Sequence, residues 1–161
     1  MFEKFGNMNS AEEINAKAKA LKESGDVESV YALAEENGLE KEDTMDYLDE
    51  CMDELCSVQM AAIGKLKVEK AALRQDGIIE DWIAKIETLA MEEWPAAVAI
   101  RKSGKSLKGC IAELLKWSWK NCYVIDSEIT KLAGVSGQVK LGIPSMRTAY
   151  QIIRDYYLGG E

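Results

Sequence analysis

Apolar residues recur at three- and four-residue intervals along almost the whole chain, in stretches that open on Ser or Asp and stop on Gly. That period belongs to amphipathic helices and leaves little room for sheet. Asn9-Ser10-Ala11-Glu12-Glu13 opens the first stretch, with Ser10 placed to cap it and Glu13 to complete a capping box. Ile14, Ala18 and Leu21 follow at helical spacing until Gly25. Asp26 starts a second helix with Val27, Val30, Leu33 and Ala34 as its apolar face, stopped by Asn37-Gly38. A third is predicted from about Lys41 to Cys56, with Met45, Leu48, Met52 and Leu55 on one stripe.

A fourth helix is predicted from Ser57 to Arg74, broken by Gln75-Asp76-Gly77, and a fifth from Ile78 to Glu93. Trp94-Pro95 marks a boundary, because proline disfavours helix in the residue before it and suits the first turn of the helix that follows. Ser103–Ser106 reads as a loop, with Ser106 capping a helix from Leu107 to about Asn121. Beyond Tyr123-Val124-Ile125 the pattern changes. Asp126 caps a short helix ending at Gly134, and residues 135–141 are Gly-rich and alternate, as in a small β element or a loop. Pro144 or Ser145 starts the last helix. The expected fold is therefore all-α and compact, with about seven to eight helices and at most a small β element near 135–141. The expected division is an N-terminal helical unit, residues 1–56, and a helical body, 57–161, ending in a helix-turn-helix-like segment.

Charge is distributed unevenly over this frame. Residues 1–60 hold 16 Asp/Glu against 5 Lys, whereas residues 61–161 hold 12 acids against 15 Lys/Arg. An acidic helical face joined to a neutral-to-basic body describes a surface, and argues for binding over catalysis. The densest acids are Asp43, Asp46, Asp49, Glu50, Asp53 and Glu54. An EF-hand reading fails, since Leu48 stands where the central glycine would be. Two readings stay open: a solvated face, or a set of carboxylates that imitates nucleic-acid phosphates in a protein channel. Arg101, Lys102, Lys105, Lys108, Lys116 and Lys120 carry the opposite sign, with Trp117 and Trp119 between the last two, and Lys140 and Arg147 add to a nucleic-acid contact set. The two tryptophans sit about 200° apart on a helix, so they do not share one stacking surface, and at least one belongs to the core.

Enzyme chemistry finds no support. Histidine is absent, and G-x-S-x-G, the phosphate loop and the dinucleotide fingerprint are all missing. Gly104-Lys105-Ser106 matches only the end of a phosphate loop, because position 99 is Ala. Cys51, Cys56, Cys110 and Cys122 lack the close pairing of a zinc site and read as buried free thiols. No metal or cofactor is expected. No stretch approaches about 18 consecutive apolar residues, so no membrane partner is expected. The opening residues lack the apolar core of a signal peptide, which points to the cytoplasm.

The segment Lys105-Ser106-Leu107-Lys108-Gly109-Cys110-Ile111-Ala112-Glu113-Leu114-Leu115, followed by Asp126-Ser127-Glu128, resembles the body of PcfK-like proteins. The opening (Phe5 to Glu13, then Leu33 to Leu39) and the close (Leu141 to Met146) are similar to small proteins of Firmicutes mobile elements. The PcfK-like family is encoded on conjugative and other mobile elements, and some members inhibit the RNA-guided nuclease of type II CRISPR systems. The resemblance implies an anti-CRISPR inhibitor whose partner is that host nuclease. The alternative is a DNA-binding accessory or transcription-factor-like protein using the C-terminal helices, whose reading helix would begin near Ser145, Arg147 and Thr148.

Overall fold

The computed structural model describes residues 4–73 and 76–159. Among them lie nine helices and one two-stranded sheet: α1 Ala11–Glu23, α2 Val27–Glu36, α3 Lys41–Leu48, α4 Val58–Ala71, α5 Ile78–Glu92, α6 Trp94–Arg101, α7 Leu107–Lys120, β1 Tyr123–Val124, α8 Ser127–Leu132, β2 Lys140–Leu141 and α9 Met146–Leu158. The fold is mostly helical, as the apolar period requires. No described helix is long and apolar enough to cross a membrane.

The chain divides into two compact units, Met1–Lys108 and Gly109–Glu161. The boundary expected at 56/57 falls inside the first unit, because buried polar and backbone contacts join the acidic helices to α4 and α6. Arg101, at the end of α6, donates from Nη1 to Ala61 O of α4 (3.1 Å) and from Nη2 to Asn37 Oδ1 at the end of α2 (2.6 Å) and to Met8 O. Gly38 and Gly64 meet backbone to backbone, since a Cβ on Gly38 would lie 2.1 Å from Gly64 O and one on Gly64 2.3 Å from Asn37 O. One apolar cluster then runs from Ile14, Ala18, Val30 and Leu33 through Leu55 and Cys56 to Ala61 of α4. α4 also packs on α5 and α6, and leaves Lys67, Val68 and Lys70 exposed.

Helix ends follow local chemistry. Ser10 accepts from Glu13 N, as a cap should, but the Glu13 carboxylate reaches one residue further back, to Asn9 N at 2.8 Å. α1, α2 and α8 each end in paired 6→1 and 5→2 bonds around Gly25, Gly38 and Gly134. α3 ends the same way, with Cys51 N bonded to Asp46 O and Glu50 N to Tyr47 O, and here Glu50 takes the left-handed position at φ 63°. The helix expected to reach Cys56 therefore stops at Leu48. No glycine marks the stop, and Leu55 and Cys56, following in the loop, are fully buried.

In the second unit β1 and β2 pair antiparallel, Tyr123 opposite Leu141 and Val124 opposite Lys140. Gly142 permits the approach to the end of α7, since a Cβ there would meet Ser118 O at 2.1 Å. The expected β element is present at its 140–141 end. Ser145 caps α9 by accepting from Thr148 N, and Ala149, Ile153 and Tyr157 form that helix's buried stripe. The link from α8 to α9 contains β2, so it is an extended segment rather than a tight turn between two helices.

Candidate functional site

The six acids singled out by sequence divide between a helix and a loop. Asp43 and Asp46 lie on α3, Asp43 half-buried in its first turn, where a carboxylate complements the helix N-terminus. Asp49 caps its end, and Glu50, Asp53 and Glu54 follow in the loop to α4. That loop is held at both ends. At one, Lys22 of α1 donates to Tyr47 O at 2.8 Å, lies over the Tyr47 ring at 4.7 Å and approaches Glu50 at 3.9 Å. At the other, the Asn15 side chain acts as a peptide group. Its Nδ2 donates to Cys56 O (2.9 Å), and its Oδ1 accepts from Cys56 N (3.0 Å).

Between these anchors lies an open cleft of about 800 Å³ whose walls carry Glu12, Glu23, Glu50, Asp53 and Glu54, with Lys19 and Lys22 among them. Glu12 and Glu23, both on α1, were not singled out by sequence. They lie at opposite ends of that helix, and only its packing against the α3–α4 loop brings them beside Glu50, Asp53 and Glu54. Asp43, Asp46 and Asp49 do not line the cleft. Glu12 is held below the usual carboxylate range by its own backbone N–H and the Ser10 hydroxyl. Tyr47, at the cleft floor, is pushed up by burial and by the nearby Glu23.

One member of the basic set is not at the surface. Arg101 is 1% exposed. Its guanidinium is spent on three internal oxygens, and burial lowers its pKa, which corrects its assignment to nucleic-acid contact. Lys102 and Lys108 are exposed and Lys105 half-buried, whereas Lys140 and Arg147 belong to the second unit, where both are exposed. Lys65, which the sequence does not single out, is also buried and binds the end of α6 and the loop that follows it, donating to Ile100 O (2.7 Å) and Lys105 O (2.6 Å). Burial lowers its pKa, opposed by Glu69 at 3.7 Å. Glu69 in turn accepts from Leu107 N, at the start of α7, at 2.6 Å. Trp117 is half-buried and Trp119 is 83% exposed, so neither is a core residue.

Cys56 and Cys110 are buried, and burial pushes both thiols up to about 12. Cys51 and Cys122 are exposed, contrary to the expectation that all four are buried, because both follow a helix end instead of lying on an inward stripe. Among the described residues no group of three or more Cys, Asp or Glu is arranged to hold a metal ion. Comparison of the chain with family models, with curated proteins and with solved structures finds no match.

Proposed function

We propose that the chain is a non-enzymatic binding protein of a mobile genetic element that inhibits a type II RNA-guided nuclease of its host by occupying the nucleic-acid channel. The observation that most supports this reading is the grouping of Glu50, Asp53 and Glu54 with Glu12 and Glu23 around one open cleft. Carboxylates on a rigid frame substitute for phosphates in a basic channel, where low dielectric and opposite charge favour them. Asn15 and Lys22 hold the loop in place before any partner arrives, which lowers the ordering cost of docking. The resemblance of residues 105–115 and 126–128 to PcfK-like proteins supplies the partner class. Such a partner places the protein in the cytoplasm.

The test is a DNA-cleavage assay with a type II nuclease, its guide and increasing amounts of this protein. Replacing Glu12, Glu23, Glu50, Asp53 and Glu54 with their amides is expected to abolish inhibition. Replacing Asp43, Asp46 and Asp49 is expected to weaken it less. Full inhibition by the first variant, with its helical circular dichroism intact, sinks the cleft as the docking surface. The rival DNA-binding reading draws on the exposed Lys140 and Arg147. It requires a salt-sensitive gel shift of duplex DNA by the isolated protein, lost on changing those two residues. We expect no such shift.

A further inference from the structure

The acidic cleft has a length and a floor as well as a charge. Its wall on α1 is one stripe, Glu12, Ala16, Lys19 and Glu23, which puts Glu12 and Glu23 about 16 Å apart along the helix axis. Each end gains a carboxylate from the α3–α4 loop. Glu54 acts together with Glu12 on the Cys56 thiol at one end, and Glu50 stands 3.9 Å from Lys22 at the other. Five carboxylates face two lysines in all, so the cleft keeps an excess of negative charge. Tyr47 adds a second, independent feature. It is 4% exposed and lies on the floor beside Glu23, yet its hydroxyl makes no hydrogen bond to any described residue. The hydroxyl is not sealed from solvent, so it opens on the cleft that Tyr47 lines. Lys22 lies over the Tyr47 ring at 4.7 Å and donates to Tyr47 O at 2.8 Å, so one cation is already seated against this ring and committed internally.

We propose, on the docking reading of this cleft, that it takes an extended basic segment of the protein partner, about five residues long, with an arginine at its Tyr47 end. A guanidinium there donates to the free Tyr47 hydroxyl and to the carboxylates beside it. Its planar fork serves separate acceptors at once, and it is less strongly hydrated than an ammonium, so it leaves water for a buried floor at lower cost. Burial and Glu23 keep the phenol protonated, so its oxygen is a neutral acceptor. A second basic residue four positions along lies on the same face of an extended chain, about 13 Å away, and reaches Glu12 and Glu54. Ala16, small and midway along the wall, lets the intervening backbone lie close to α1.

Calorimetric titration of the full chain with two blocked peptides, Arg-Gly-Gly-Gly-Arg and Lys-Gly-Gly-Gly-Lys, tests this. The arginine peptide is expected to bind about threefold tighter or more. Tyr47→Phe removes a hydroxyl that has no internal partner, so the helical circular dichroism is expected to stay unchanged while the arginine peptide binds about three- to tenfold more weakly. Glu12→Gln and Glu23→Gln are each expected to weaken it as well. Equal binding of the two peptides overturns the proposal, as does unaltered binding to Tyr47→Phe or failure of both peptides to bind at millimolar concentration. The cleavage assay separates this failure from that of the docking reading. If the five-amide variant loses nuclease inhibition while the peptides bind alike, the docking surface stands and the arginine falls. If arginine-selective, Tyr47-dependent binding is found in a protein that does not inhibit the nuclease, the basic segment stands and the nuclease falls.

Discussion

The Arg101 guanidinium and the Asn37 side-chain oxygen meet at 2.6 Å in the interior of the first unit, each residue 1% exposed. The contact joins the end of α6 to the end of α2 across 64 positions of sequence. Asn37 also donates from Nδ2 to Leu33 O at 2.9 Å, so its amide is oriented before it accepts from arginine. Arg101→Ala removes one donor each from Ala61 O, Asn37 Oδ1 and the part-buried Met8 O, and hydrogen bonds to a charged group contribute about 1.5–3 kcal/mol each, so a loss of about 3 kcal/mol or more is expected. Arg101→Lys is expected to recover only part, since an ammonium lacks the planar fork that reaches separate acceptors. Urea midpoints of the two variants against the parent check both statements.

Gly38 and Gly64 lie in backbone contact, and Gly38 also sits at φ 72°. Gly64→Ala has no conformational penalty of its own in α4. Its added methyl would come 2.3 Å from Asn37 O, so α2 must move away from α4. A loss of about 1–3 kcal/mol or more is expected, the range for overpacking. A Gly64→Ala variant with an unchanged melting temperature would mean that the two helices are not in contact there.

Glu50 offers the opposite experiment. It occupies the left-handed position that ends α3, where a side chain costs free energy and glycine does not. Its pairing with Lys22 at 3.9 Å is exposed and contributes little. Glu50→Gly is therefore expected to stabilise the fold by up to about 1 kcal/mol. The same change removes one carboxylate from the cleft, so thermal stability and nuclease inhibition should move in opposite directions.

The Glu36 carboxylate is pushed up by burial but lowered more by the backbone N–H groups of Lys4, Phe5 and Gly6, leaving it below the ordinary glutamate value. Asp26 is also lowered, chiefly by the Ser29 hydroxyl and backbone N–H. A folded pKa below the unfolded one means stability that is present above the unfolded value and is lost as pH falls through the folded value. Glu36→Gln is expected to be less stable than the parent at pH 7, with the difference shrinking below about pH 4. Urea titrations at a series of pH values from neutral to strongly acid test the sign.

Thiol titration with a disulfide reagent at mildly alkaline pH is expected to modify Cys51 and Cys122 in the native protein. Cys56 and Cys110, buried and pushed up to about 12, are expected to react only after denaturation. Four rapidly reacting thiols in the native state would contradict the burial of Leu55-Cys56 under α1.

The helices were legible because their signals are local. Ser10, Asp26, Ser57, Asp126 and Ser145 each cap the helix they precede, and Gly25, Gly38 and Gly134 end theirs. Where that chemistry was missing the reading failed: α3 ran on to Cys56 because Glu50 resembles any other helical glutamate. The candidate site was legible only in part. The acids from Glu50 to Glu54 stood out as a run, but Glu12 and Glu23 join them through packing, which leaves no mark in a single sequence. Arg101 failed for the same reason, since a cation beside lysines reads as surface until its acceptors from other helices are known.

By itself the sequence determined that this protein is built of short amphipathic helices, where most of them start and stop, and that its negative charge lies at the N-terminal end, because periodicity, caps and charge are properties of neighbouring residues. Only the tertiary structure decided that α3 stops at Leu48, that Arg101 and Lys65 serve the interior, and which five carboxylates share a cleft. Those outcomes depend on which backbone oxygens and helix faces meet across tens of residues, and that is settled by packing.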